Sequence, residues 1–107
     1  MIKQIDVLEL KKKLDAKENL ILVDVRQPDE YETAKIEGSQ LIPLSTFAQE
    51  AVKFLKKDDE IVIHCHHGGR SQRACEYLKS IGYTNVSNLA GGIDSWSLKI
   101  DSKVSRY

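Results

Sequence analysis

The sequence predicts an α/β domain with a mostly parallel sheet of five strands and helices on both faces. Three observations lead to this prediction. Short apolar runs rich in β-branched residues alternate along the chain with segments of helical periodicity. One run, residues 20–23, is apolar at every position, as in a parallel strand buried on both faces. The connections are short and contain no Pro- or Ser-rich linker, so we expect one domain over residues 1–107.

The N-terminal half of the chain is expected to form three strands and three helices. Asp6 can cap the first helix, because Glu9 follows three residues later as in a capping box. Pro28 suits the first turn of the second helix, where its missing N–H is not needed. Ser45 is expected to cap the third helix. The predicted strands are 2–5, 20–23 and 41–42, and the predicted apolar helix positions are Val7, Leu10 and Leu14, then Phe47, Ala51, Phe54 and Leu55.

The C-terminal half is expected to form two more strands and two more helices. Gly82 is placed to end the fourth helix, since a residue with positive φ commonly follows a helix terminus. The tail, residues 101–107, is polar and is expected to be irregular. The predicted strands are 61–63 and 85–89, and the apolar helix positions are Ala74, Cys75, Leu78 and Ile81, then Ile93, Trp96 and Ile100.

One stretch of the sequence places a nucleophile beside a glycine turn. The apolar run 61–63 predicts a buried strand that ends just before Cys65. Gly68 and Gly69 follow, and a helical pattern begins near Arg70. Cys65 is therefore expected at the carboxyl end of a strand, in a turn that leads into a helix. Open α/β sheets place their ligand sites at such points.

This turn predicts a site for an anion. Glycines adopt positive φ at no steric cost, so successive backbone N–H groups can converge on one point. The following helix adds its unpaired N–H groups and the positive end of its dipole. A thiol held there loses its proton more readily, and the thiolate is the reactive form. Arg70, with His66 or His67, would add positive charge at the rim, so Cys65 is expected to face an anionic substrate.

The charge balance and the cysteine content argue against several classes of function. Sixteen basic residues balance sixteen acidic ones and the sequence pI is about 6.8, which gives no support to a nucleic-acid or membrane partner. No apolar stretch is long enough to cross a membrane, and the N-terminus lacks the apolar core of a signal peptide. Cys65 and Cys75 fall in one turn–helix unit and do not form a disulfide framework. We expect a cytoplasmic protein.

Several residues near Cys65 are better explained by structure than by chemistry. Cys75 lies on the apolar face of its helix, so core packing is favoured over a role as a second reactive thiol. Asp24 and Arg26 are expected to form an ion pair or a loop anchor beneath the site. The histidines around Cys65 could suggest zinc, but neighbouring residues on a strand point to opposite sides and no second ligand cluster is evident. We therefore expect no metal site.

These residues also carry a family resemblance, which extends over nearly the whole chain. The order and spacing of the matching motifs resemble a single-domain rhodanese, a sulfurtransferase. Lys35 departs from the histidine that the family often has before the isoleucine of its Ile-x-Gly motif. The matching residues are Asp24-Val25-Arg26, Glu30-Tyr31, Ile36-x-Gly38, Ile42-Pro43-Leu44, the loop Cys65-His66-His67-Gly68-Gly69-Arg70-Ser71, Gly82-Tyr83, and Gly91-Gly92-Ile93 with Trp96.

The resemblance implies a reaction. Cys65 would take the outer sulfur of a small anionic donor such as thiosulfate and become a persulfide. Cyanide, a thiol or a protein acceptor would then remove that sulfur. The loop from His66 to Ser71 would bind the substrate, Asp24 and Arg26 would support it, and no cofactor would be needed. The tail resembles that of rhodanese-like domains attached to sulfur-carrier-activating enzymes.

Two other functions fit the predicted architecture. A cysteine-dependent phosphatase or arsenate reductase needs five residues between its cysteine and its arginine, because a tetrahedral oxyanion must sit inside the loop. Only four residues separate Cys65 from Arg70. The other function is a non-catalytic rhodanese-like module, which binds a protein or carries sulfur. The protein-binding kind usually lacks the cysteine, and Cys65 is present. The sequence therefore favours a sulfurtransferase.

Overall fold

A computed structural model describes residues 1–107 and contains one sheet of five strands, all of them parallel. The prediction of a five-stranded sheet is confirmed, and the sheet is parallel throughout rather than mostly parallel. Its order is β1-β5-β4-β2-β3, so β4 lies at the centre. The strands are β1 (Lys3–Ile5), β2 (Leu20–Asp24), β3 (Gln40–Leu41), β4 (Glu60–His64) and β5 (Val86–Leu89).

Five helices connect and cover the strands. The side chain of Asp6 accepts a hydrogen bond from the backbone N–H of Glu9 at 2.8 Å, which confirms the first predicted cap. Pro28 is the first residue of its helix, as predicted. The helices are α1 (Val7–Asp15), α2 (Pro28–Thr33), α3 (Phe47–Phe54), α4 (Gly69–Ser80) and α5 (Gly92–Lys99).

Helices pack on both faces of the sheet, so the core has two layers. Alternate residues of β4 point to opposite faces, which places Ile61 and Ile63 in one layer and Val62 in the other. The first layer includes buried residues of α3 and α4, and the second includes buried residues of α1 and α5. The central strand is thus covered on both sides, and its carboxyl end is held at a fixed position.

The third helix departs from its prediction at both ends. Ser45 does not cap it, because residues Leu44–Thr46 form a turn of 3₁₀-helix that directly precedes α3. The N-cap is Thr46, whose side chain makes no capping bond. Phe54 is exposed, whereas Leu55, the first residue after the helix, turns back into the core. When two adjacent residues at a helix end are both apolar, the sequence does not show which of them is buried, and tertiary packing decides.

The tail after α5 has no helix or strand, as predicted. Its course is nevertheless defined, because the N–H of Asp101 donates to the carbonyl of Trp96 at 3.0 Å, and that of Val104 donates to the carbonyl of Asp101 at 3.1 Å. The tail then returns to the carboxyl edge of the sheet. None of the helices has both the length and the apolar character that crossing a membrane requires.

Candidate active site

Cys65 directly follows the central strand, in the loop that leads into α4. The loop can turn this tightly because Gly68, the N-cap of α4, has a φ of +128°, a backbone conformation that residues other than glycine rarely adopt. Cys65 itself is 2% exposed. The predicted arrangement of strand, thiol, glycine turn and helix is therefore present.

Several hydrogen-bond donors surround the sulfur of Cys65. The N–H of Gly68 lies 3.1 Å from Sγ, and the hydroxyl of Ser71 lies 3.5 Å from it. Burial opposes ionisation of the thiol. Donation from the Ser71 hydroxyl and from the backbone N–H groups of Ser71, Gly68 and His67 outweighs burial, so the pKa of Cys65 is lowered. The loop therefore favours the thiolate, which is the nucleophilic form.

A buried asparagine on the neighbouring strand holds this loop in place. Asn88 lies near the end of β5, and its Nδ2 donates to the carbonyl of Gly68 at 3.2 Å. Its Oδ1 accepts from the hydroxyl of Ser71. That hydroxyl has one proton and three acceptors within reach, namely Asn88 Oδ1, the Gly68 carbonyl and Cys65 Sγ. Asn88 thus competes with Cys65 Sγ for the single hydroxyl proton of Ser71, and so determines whether Ser71 can donate a hydrogen bond to a charged sulfur.

The N-terminus of α5 holds the other side of the loop. The N–H of Ile93 donates to the carbonyl of Cys65 at 2.9 Å, and that of Asp94 donates to the carbonyl of His66 at 3.2 Å. A Cβ atom on Gly92 would lie 2.5 Å from each of these two carbonyl oxygens. Only glycine permits so close an approach. The positions of α5 and of the loop 65–68, which we call the nucleophile loop, therefore depend on each other.

Arg70 lies at the cleft, as expected, but it already has a partner. Its guanidinium forms a two-point ion pair with Glu30 of α2, with N···O distances of 2.7 and 2.9 Å. Arg70 holds the pKa of Glu30 at about 2, and Glu30 in turn raises the pKa of Arg70. The positive charge that we expected at the rim of the cleft is therefore largely balanced by the carboxylate of Glu30, which was not predicted to lie there.

Asp24 and Arg26 form a fully buried ion pair beneath the loop. Arg26 Nη2 lies 2.6 Å from Asp24 Oδ2, and both side chains are 0% exposed. The same nitrogen donates to the carbonyl of Ala34 at 2.5 Å. His64 lies nearby, with Nε2 at 3.9 Å from Asp24 Oδ2, but burial lowers the pKa of His64, so it is neutral. Arg26 is thus the counter-ion of Asp24.

The structure brings together two histidines that we expected to point apart. β4 ends at His64, so His66 and His67 lie in the loop beyond it, and the rule for strand residues does not apply to them. Their Nδ1 atoms are 2.9 Å apart, and Nε2 of His67 lies 3.8 Å from Asp94. These three residues could together ligate a metal ion, against our expectation. However, the carboxylate of Asp94 already pairs with Arg106 at 3.0 Å.

Cys65 lines a cleft of about 380 Å³. Its walls come from the loop, from α2 and from the last residue of the tail. The phenol of Tyr107 lies against His66, with ring centroids 4.3 Å apart. The lining residues are Glu30, Cys65, His66, His67, Gly69, Arg70 and Tyr107.

A comparison with protein families matches residues 6–99 to the rhodanese-like domain model. The chain belongs to this family. Over 97 residues it is 36% identical to a sulfurtransferase of Allochromatium vinosum, and this match covers 91% of the chain and 90% of that protein. It is 32% identical over 104 residues to the thiosulfate sulfurtransferase GlpE of Pseudoalteromonas translucida, with 97% of each covered. A rhodanese-like role in sulfur transfer is therefore supported.

Other relatives show the same rhodanese-like domain within longer proteins. The chain is 38% identical over 100 residues to YrkF of Bacillus subtilis, a putative sulfur carrier protein, covering 94% of the chain but 54% of that relative. It spans 38% of a rhodanese-like/PpiC domain-containing protein of Arabidopsis thaliana. Among solved structures, a rhodanese-like domain protein from Staphylococcus aureus aligns with a TM-score of 0.82 at 33% identity, covering 89% of the chain and 91% of that structure. These matches confirm the rhodanese-like fold.

Four residues that shape this rhodanese-like site were not predicted to belong to it. Glu30 and Tyr107 line the cleft, while Asn88 and Asp94 contact its loop. Asn88 could have been found from the sequence, because it is a polar residue near the carboxyl end of a predicted strand. In a parallel sheet, such a residue lies beside the loop that follows the neighbouring strand. Glu30 belongs to the matching Glu30-Tyr31 motif, but nothing in the sequence pairs it with Arg70, which lies forty positions away.

Proposed function

We propose that this protein is a sulfurtransferase that moves sulfane sulfur from an anionic donor such as thiosulfate to cyanide or a thiol, through a persulfide on Cys65. The observation that carries the proposal is the environment of the thiol. Cys65 faces a cleft, and hydroxyl and backbone donors from the loop lower its pKa. The sulfurtransferases among its relatives support the same reaction.

The proposed reaction has two displacements at sulfur. The Cys65 thiolate attacks the outer sulfur of thiosulfate, a new S–S bond forms, and sulfite leaves with the electron pair of the bond that breaks. Cyanide or a thiolate then attacks the terminal sulfur of the persulfide. Thiocyanate or a new persulfide departs, and the Cys65 thiolate is regenerated. Charge and sulfur balance at each step, so no external oxidant or reductant is required.

The loop would stabilise the persulfide as it stabilises the thiolate. A persulfide carries its negative charge on the terminal sulfur, one bond further into the cleft than Cys65 Sγ. The N–H groups at the start of α4 and the positive end of its dipole favour an anion at that position. These groups are fixed by Asn88 and by α5, so they need little rearrangement between the two steps.

Loop length separates this proposal from a phosphatase. The wild-type protein should gain the mass of one sulfur atom with thiosulfate, release it to cyanide, and leave aryl phosphates essentially untouched. The reason is that four residues between Cys65 and Arg70 leave a smaller loop than a tetrahedral phosphate requires. Intact-mass spectrometry, thiocyanate formation and p-nitrophenol release measure the three outcomes. Phosphate hydrolysis that needs Cys65 and matches the rate of sulfur transfer would contradict the proposal.

The putative sulfur carrier among the relatives gives the second candidate function. A carrier would accept sulfur on Cys65 and hold it until a specific protein partner takes it. The same experiment separates the two functions. An enzyme loads sulfur and turns over with cyanide, whereas a carrier loads it and releases it slowly.

Arg70→Ala should weaken the reaction with anionic donors. The change removes a cation from the cleft and leaves the Glu30 carboxylate facing the donor without its counter-ion. Because Arg70 is partly exposed and already paired, we expect the lower end of the range for a charged hydrogen bond, about 1.5 kcal/mol or roughly tenfold in kcat/KM.

Arg70→Lys is the matched variant for this prediction. It restores the charge but not the planar two-point contact with Glu30, so partial recovery is expected. The measurement is kcat/KM for thiosulfate in the three proteins, with thermal unfolding as a check on the fold. An unchanged kcat/KM in Arg70→Ala would limit Arg70 to fixing the start of α4.

A further inference from the structure

Tyr107, the last residue of the tail, lies against the candidate active site and is held there at several points. Its hydroxyl accepts a hydrogen bond from Arg26 Nη1 at 2.6 Å and donates to Glu30 Oε2 at 2.9 Å. Its ring lies against His66, with centroids 4.3 Å apart. The preceding residue, Arg106, pairs with Asp94 of α5 at 3.0 Å. The tail is thus attached to both sides of the nucleophile loop.

The hydroxyl of Tyr107 joins two ion pairs that would otherwise be separate. Arg26 is fully buried with Asp24 beneath the loop, while Glu30 pairs with Arg70 at the cleft. Each contact in this chain of five residues is between 2.6 and 2.9 Å. The buried cation therefore fixes the phenol, the phenol fixes one oxygen of Glu30, and Glu30 fixes the guanidinium that a donor would meet.

The ring of Tyr107 has a different effect, because it forms one wall of the cleft that contains Cys65. Thiosulfate and cyanide are far smaller than this cleft of about 380 Å³, whereas a bulky thiol must bring its sulfur past the ring that lines the cleft beside Cys65. The tail could allow that movement without disturbing the sheet. It has no helix or strand, and within it one backbone hydrogen bond, from Val104 to Asp101, is present.

We infer that Tyr107 determines which sulfur acceptors reach Cys65, since its ring covers the cleft and its hydroxyl positions Arg70 through Glu30. Small acceptors enter with the ring in place, and large thiols enter only when the tail moves aside. The part of this inference that concerns sulfur acceptors rests on the proposed function. The covering of Cys65 can nevertheless be measured without that activity.

Two variants separate the role of the ring from that of the hydroxyl. Tyr107→Phe keeps the ring against His66 and removes both hydrogen bonds, whereas Tyr107→Ala removes the wall as well. Lys103→Ala is a control in the same tail, because Lys103 is exposed and does not line this cleft. Tyr107 itself is 47% exposed, so the variants are expected to fold, and thermal unfolding checks this.

The first measurement is the alkylation rate of Cys65 with iodoacetamide and with a maleimide that carries a polyethylene glycol chain. Cys75 is fully buried and should stay unlabelled, and Cys65→Ser provides the blank. If the wild-type cleft is open about a tenth of the time, Tyr107→Ala should raise the ratio of bulky to small labelling about tenfold. Lys103→Ala should leave the ratio unchanged, and Tyr107→Phe, which keeps the ring but loses the two hydroxyl bonds that hold it, should raise the ratio by less than Tyr107→Ala does. An equal ratio in wild type and Tyr107→Ala would overturn the inference.

The second measurement is steady-state sulfur transfer with cyanide and with glutathione as acceptors. Tyr107→Ala should raise kcat/KM for glutathione relative to cyanide. Tyr107→Phe should instead raise the KM for thiosulfate about threefold, because Glu30 loses one of the contacts that hold it against Arg70, with a smaller change in kcat. A Tyr107→Phe enzyme with an unaltered KM would contradict the positioning role. A wild type without any transfer would refute the proposed function, and the labelling ratio would still decide whether Tyr107 covers Cys65.

Discussion

Cys65→Ser should abolish sulfur loading and lower cyanide-dependent turnover by several orders of magnitude, because a hydroxyl at this position cannot form the persulfide. The variant should fold normally, since a serine oxygen can accept the same hydrogen bond from the Gly68 N–H that the sulfur accepts at 3.1 Å. Intact mass after incubation with thiosulfate, thiocyanate formation and thermal unfolding measure these three properties.

Cys75→Ala is the matched control, because the two thiols differ only in their surroundings. Cys75 lies on α4 within the core, and burial, with the charges of Glu76 and Cys65, raises its pKa to about 12. It therefore remains a thiol near neutral pH. The variant should keep the sulfur adduct and most of the activity, and lose about 1 kcal/mol of stability from a small core deletion.

Either of two results would show that the wrong thiol has been chosen. One is a sulfur adduct that survives in Cys65→Ser, and the other is an adduct that disappears from a folded Cys75→Ala. If the wild-type protein took up no sulfur from any of several donors, a non-catalytic binding module would be favoured instead. The pair of variants therefore tests both the position and the existence of the nucleophile.

The fold and the position of Cys65 between a strand and a helix could be predicted because each depends on residues that are consecutive in the chain. The apolar run before Cys65 and the glycines after it describe a strand, a turn and a helix start within nine positions. The same local logic explains the cap at Asp6 and the helix start at Pro28. Even the error at Ser45 is local, since a 3₁₀ turn and the first turn of an α-helix accept similar residues.

The walls that α2 and the tail add to the cleft could not be predicted, because they join residues that are distant in the chain. Glu30 meets Arg70 across forty positions, and Tyr107 meets Arg26 across eighty-one. Pairing of this kind depends on how α2 and the tail pack beside the sheet. No local periodicity records that packing, and with sixteen charges of each sign many other pairings would have been equally plausible. The tail was expected to be irregular, and an irregular backbone says nothing about where its last side chain lies.

Asp24→Asn should destabilise the protein by about 3–5 kcal/mol, because it leaves the Arg26 charge buried without its counter-ion. The substitution keeps the size of the side chain, so little of this loss comes from packing. His64, which burial keeps neutral by lowering its pKa, has no negative charge with which to replace the lost carboxylate. Urea unfolding monitored by the fluorescence of Trp96 measures the change. A loss below about 1 kcal/mol would mean that Arg26 finds water or another partner in the folded protein.

The double variant Asp24→Leu/Arg26→Met shows whether the loss comes from an unpaired charge or from the missing contact itself. Replacing both partners removes the buried charge, so much of the stability should return. The recovery should stay incomplete, because the carbonyl of Ala34 loses the hydrogen bond that Arg26 donates at 2.5 Å. Asp15→Asn, in the exposed pair with Lys11, is the surface control and should change stability little. A double variant less stable than Asp24→Asn would show that the ion pair stabilises the fold by more than an apolar pair could. The contacts of Arg26 with Ala34 and Tyr107 would then be the ones to test next.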